Sequence, residues 1–116
     1  MNIWSWLKGL FKKPVKVADY NRGLTAEQYY TNLRTIRDSA LHDYQDMTML
    51  VDYHPDIRNI RIKALLYYLS ALRLLDEKPV IVYDVLVSDS VISQYAILVR
   101  SMAENNENPY QHVRFE

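Results

Sequence analysis

Residues 64–75 read ALLYYLSALRLL, and only Ser70 and Arg73 interrupt a run in which ten of twelve side chains are apolar or aromatic. At 100° per residue such a run has no polar face, so a helix made from it must be enclosed on most sides. The run is too short to span a bilayer, and charged residues flank it closely. Working back from it, Ile57, Ile60, Ala64, Tyr67, Ala71 and Leu74 form one core stripe of a helix from about Pro55 to Leu75. Proline fits the first turn of that helix. Leu65, Leu66, Leu69 and Leu72 point away from this stripe. Either this helix is the central one of a small bundle, or its second face meets another subunit.

The preceding segment has the same periodicity. Tyr29, Leu33, Ile36, Ala40, Tyr44, Met47 and Val51 step by threes and fours along a long helix that breaks near His54-Pro55. Thr25-Ala26-Glu27-Gln28 has capping-box spacing, with Thr25 as N-cap and Gln28 three residues on. Downstream, Ser88 or Asp89 opens or continues a helix to about Ala103, with Val91, Ile92, Tyr95, Leu98, Val99 and Met102 on its buried arc.

Between these helices lies PVIVYDVLV, residues 79–87, in which five of nine residues are β-branched. That composition favours a strand. A strand needs a partner, and the candidates are residues 15–20 and 112–115, both short. The alternative is a helix capped by Asp76 and entered at Pro79. The helical surroundings favour the helix. The expected fold is therefore all-α: a small bundle of about three long helices plus an N-terminal amphipathic helix, with a short strand near 79–87 as the alternative.

Residues 1–13 place Ile3, Trp4, Trp6, Leu7, Leu10 and Phe11 on one arc and Asn2, Ser5, Lys8, Gly9, Lys12 and Lys13 on the other, and Pro14 ends the segment. The chain divides into this amphipathic helix (1–14), a connector (15–24), the bundle (25–104) and a polar C-terminal tail (105–116). In that tail Tyr110, Val113 and Phe115 are candidate anchors.

The chain has 116 residues, 14 basic and 14 acidic groups, no cysteine and two glycines. One core is what that length supports. Without cysteine there are no disulfides, thiolate metal sites or cysteine nucleophiles. With only Gly9 and Gly23, no phosphate loop or nucleophile elbow can be written. The charge is polarised. Residues 1–24 carry five basic groups against Asp19 alone, while residues 25–116 carry nine basic and thirteen acidic groups. The basic N-terminal segment is drawn to acidic surfaces, and the rest of the chain, or of a neighbouring copy, is one.

Candidate chemistry is sparse. Asp38, His42 and Asp46 share a helix stripe with metal-ligand spacing, but it lies opposite the core face and reads as a solvated stripe. Asp52-x-His54-x-Asp56 falls at the helix break, where Asp56 suits the first turn as an acid. His42, His54 and His112 sit in polar contexts with no local triad signature. Arg34, Arg37, Arg58, Arg61, Lys63 and Arg73 are interleaved with Asp38, Asp43, Asp52 and Asp56, which reads as an ion-paired face.

No enzyme activity, catalytic residue, cofactor, metal or nucleic-acid partner is expected. The expected function is a non-enzymatic interaction or structural subunit of a larger protein assembly. A virus-particle component would suit a compact, cysteine-free chain with adhesive ends. Ten tyrosines fit such a role, because half-buried tyrosine accumulates at interfaces. The expected partner-binding residues are Trp4, Trp6, Leu7, Leu10 and Phe11 on the N-terminal helix and Leu65, Leu66, Leu69 and Leu72 on the apolar helix. The partner is protein, either a second copy or other subunits. The alternative is a peripheral membrane protein whose N-terminal basic amphipathic helix lies on the inner leaflet. Lysines after the tryptophans do not make a secretory signal, so a cytoplasmic location is expected.

Overall fold

The computed structural model describes residues 24–50 and 54–109, which fold as three helices: α1 (Ala26–Leu50), α2 (Pro55–Leu75) and α3 (Asp89–Glu104). Residues 1–14, the C-terminal anchors Tyr110, Val113 and Phe115, and the strand candidates 15–20 and 112–115 lie outside the described residues.

Each helix begins where its local chemistry dictates. Thr25 and Gln28 close a reciprocal box, the Gln28 N–H donating to Thr25 Oγ1 at 3.1 Å and the Thr25 N–H to Gln28 Oε1 at 2.8 Å. Two free donors of the first turn are thereby satisfied. At the start of α2 the imidazole of His54 is the N-cap, Nδ1 accepting the Asp56 N–H at 3.1 Å, and Pro55 needs no acceptor. Ser88 caps α3 by accepting the Val91 N–H at 3.2 Å.

Helices α1 and α2 run in opposite directions. Arg61 reaches Thr48 and Tyr44, whereas Arg37 reaches Glu77 just beyond the end of α2. Rising numbers on α2 therefore meet falling numbers on α1. Arg73 bonds Ser93 and Asp89 while Tyr67 meets Tyr95, so α3 is also antiparallel to α2. Asn32 donates to the Ala103 carbonyl at 2.8 Å and Asn108, just beyond α3, to Ser39 Oγ at 3.1 Å, which sets the end of α3 against the first half of α1.

Helix α2 is the central one. Every residue from Ala64 to Leu72 is buried, including Leu65, Leu66, Leu69 and Leu72. The apolar circumference is enclosed by α1, by α3 and by the segment that joins α2 to α3. Ser70, the one polar residue in the buried run, is accommodated because its hydroxyl lies 2.6 Å from the Leu66 carbonyl and 3.2 Å from that of Ile92. The core stripes of α1 and α3 are buried at Leu33, Ile36, Ala40, Tyr44 and Met47 and at Leu98, Val99 and Met102. Among the described residues no helix is long and apolar enough to cross a membrane.

The third helix does not begin at Pro79. Asp76 adopts left-handed geometry (φ 57°, ψ 46°) and ends α2 instead of capping a new helix. The Glu77 N–H returns to the Leu72 carbonyl at 2.9 Å and the Asp76 N–H to that of Arg73 at 3.2 Å, closing the last turn. From there to Ser88 the chain is neither helix nor paired strand. Its β-branched residues resist helix formation, and among the described residues no second strand lies alongside to form a ladder.

Candidate functional site

The segment 79–88 presents the most unusual surface among the described residues. Exposure alternates residue by residue. Ile81, Tyr83, Val85 and Val87 turn inward and pack against the core, whereas Val80, Val82, Asp84 and Leu86 turn outward. A period of two is the signature of extended backbone. It survives without a partner strand among the described residues because the inward row has an apolar helical surface to lie on. The outward row is left in solvent: Val80 is 82 %, Val82 98 % and Leu86 101 % exposed.

Polar contacts fix the segment in place. The Val80 N–H donates to Tyr68 Oη at 3.2 Å, and Tyr68 is itself fully buried. Asp84 accepts from Arg61 Nη2 at 2.8 Å. The same guanidinium donates to Tyr44 Oη at 2.9 Å and, through Nε, to Thr48 Oγ1 at 2.8 Å, and it lies over the Tyr44 ring at 4.6 Å from the centroid. The bond from Arg61 holds the Asp84 carboxyl below the usual carboxylate range. At the flanks, Arg37 Nη1 bonds Glu77 at 2.7 Å, and Arg73 Nη2 makes a short charge-assisted bond to Asp89. The three arginines are therefore ion-paired, as the charge pattern suggests. Their acids, however, come mainly from residues 77–89, with Asp38 serving Arg37 alone at 2.9 Å. Asp43 does not belong to that solvated face, because it is buried at 1 % exposure.

Helix α1 carries a second polar cluster. His42 Nδ1 lies 3.1 Å from Asp46 and 3.8 Å from Asp43, and the three candidate ligand atoms fall within 4.8 Å of one another. Asp38 is not part of it. His42 and Asp46 are separated by one helical turn on the open side, where such pairs are ordinary surface contacts. A shallow cleft opens between the start of α1 and the end of α3, lined by Leu24, Thr25, Ala26, Tyr29 and Glu104. Burial, followed by the neighbouring Glu104 charge, raises the Tyr29 phenol above its ordinary value.

The residues read from sequence as partner-binding divide into two groups. Trp4, Trp6, Leu7, Leu10 and Phe11 lie outside the described residues. Leu65, Leu66, Leu69 and Leu72 are taken up inside the chain and present no open face. The structure adds Val80, Val82 and Leu86, which the sequence reading passed over. Their signal was present as alternation in PVIVYDVLV, but alternation does not reveal which of its two rows lacks a cover. Compared with protein families, curated proteins and solved structures, the chain finds no match.

Proposed function

We propose that the chain is a non-enzymatic interaction or structural subunit of a larger protein assembly. The observation that supports this reading is the row Val80, Val82 and Leu86, aliphatic and almost wholly exposed on a segment pinned by Tyr68 and Arg61. Aliphatic side chains scattered over a surface need no explanation. Three in one row on an anchored backbone form a ready contact, since little ordering entropy remains to be lost on association. The N-terminal arc of Trp4, Trp6, Leu7, Leu10 and Phe11 supplies the large apolar side chains that usually anchor interfaces.

The competing reading is a peripheral membrane protein held by the basic amphipathic segment 1–13. Its support is the separation of Lys8, Lys12 and Lys13 from the aromatic arc. Native mass spectrometry of the full chain, alongside co-sedimentation with anionic vesicles, separates the two. The assembly reading expects oligomers at micromolar concentration and no vesicle binding. A monomer that pellets with anionic vesicles, and is released by salt, would replace it with the membrane reading.

A further inference from the structure

We propose that the outward row of residues 80–86 is the receptor for the N-terminal segment, residues 1–13, of a second copy of the chain. The inference rests on the assembly reading and names its two contacting surfaces. Three observations carry it.

The first is that the described residues leave the row open, at 82–101 % exposure for Val80, Val82 and Leu86, so it is free to take its cover from another molecule. The second is charge. Residues 76–89 contain Asp76, Glu77, Asp84 and Asp89 against Lys78 alone. Three of these acids take guanidinium bonds from the helices, from Arg37, Arg61 and Arg73. For Asp84 and Asp89 the carboxylate is the far more exposed member of the pair, so anionic oxygens face solvent around the aliphatic row. Residues 1–13 bring the complement, Lys8, Lys12 and Lys13 beside an apolar arc.

The third is area. A stable interface buries about 800 Å² on each partner, and three aliphatic side chains fall well short of that, so row-on-row pairing of two copies is inadequate. An arm carrying Trp4, Trp6 and Phe11 adds three aromatic rings of about 150–250 Å² each. Arm on row is a heterologous contact. Each copy carries one donor and one acceptor, so assembly closes as an exchanged dimer or ring, or grows as a filament.

The test uses full-length variants. Val82→Glu with Leu86→Glu removes the receptor and leaves the arm. Trp6→Ala with Phe11→Ala removes the arm and leaves the receptor. Because Val82 and Leu86 are almost wholly exposed among the described residues, the first variant should melt with the wild type, and its melting curve serves as the control. Each variant alone is expected to associate at least about tenfold more weakly than wild type. Mixed at equal concentration, they are expected to form a 1:1 heterodimer that grows no further, seen by native mass spectrometry with one variant isotope-labelled. If the receptor variant associates like the wild type, the row is not the receptor, although the assembly reading survives. If both variants are monomeric and their mixture stays monomeric, the arm is not the occupant and the inference is overturned. A wild-type chain that is monomeric throughout overturns the inference and self-assembly together.

Discussion

Arg61 makes three side-chain hydrogen bonds and covers the Tyr44 ring, joining α1, α2 and the connecting segment through one guanidinium. A lysine cannot reproduce this, because the contact needs a planar fork with several fixed donors. Arg61→Met keeps the apolar stem but removes the charge-assisted bonds. It is expected to lower stability by about 2 kcal/mol in urea denaturation, and to speed amide exchange in residues 80–87, which Arg61 holds down. Arg61→Lys should recover less than half of the loss. Unchanged exchange in that segment would mean that the inward row, not Arg61, holds it. His42 is the contrasting case. Its ring is exposed and its contacts are with Asp46 on the same helix surface and the edge of Asp43. His42→Ala should change stability by no more than about 0.5 kcal/mol. A rise in melting temperature on adding Zn²⁺ that this substitution abolishes would show a real ligand.

At the scale of elements, helix ends and core stripes were legible in the sequence. Thr25–Gln28 spacing, the His54-Pro55 break and Ser88 all mark boundaries through local chemistry, and local chemistry is what a sequence carries. The course of residues 76–88 was not legible. Asp76 can cap a following helix or end a preceding one, and the choice depends on whether Asp76 adopts positive φ, which only the assembled bundle decides. The same limit applied to Leu65, Leu66, Leu69 and Leu72. Their apolarity demanded burial, but nothing local says whether the cover is the same chain or another. Asp76 yields a prediction of its own. Left-handed backbone is costly for a residue with a Cβ and free of that cost for glycine. Asp76→Gly is therefore expected to raise stability by about 0.5–1 kcal/mol in thermal or urea melts. Thr25→Ala should lower it by about 1 kcal/mol, because the box loses its hydroxyl. A destabilising Asp76→Gly would mean that the carboxylate contributes more than the backbone geometry costs.

For the whole molecule, the tyrosines set a pH limit. Burial raises the phenols of Tyr67 and Tyr95, which pack edge to face, and likewise those of Tyr29 and Tyr44. In each case the folded chain keeps its proton to higher pH than the unfolded chain, whose tyrosines titrate near about 10. Above that pH the unfolded state binds fewer protons, so the unfolding free energy falls as pH rises. The stabilisation is intact below about pH 10 and lost on the alkaline side. Tyr67, nearly fully buried, contributes a slope of about 1.4 kcal/mol per pH unit in that window. Tyr67→Phe should flatten the alkaline limb of a stability–pH curve measured between pH 8 and 11. Equal slopes for the two proteins would show that Tyr67 ionises as easily in the fold as out of it.

The bundle encloses its most apolar helix within one chain yet leaves the aliphatic row of residues 80–86 in water, so the central claim is that this row is a contact surface between molecules. Sedimentation equilibrium of the wild-type chain and the Val82→Glu, Leu86→Glu variant, both at micromolar concentration and matched for melting temperature, addresses that claim most directly. The account predicts an associating wild type and a variant whose mass is that of the monomer. Identical association curves for the two chains would contradict it.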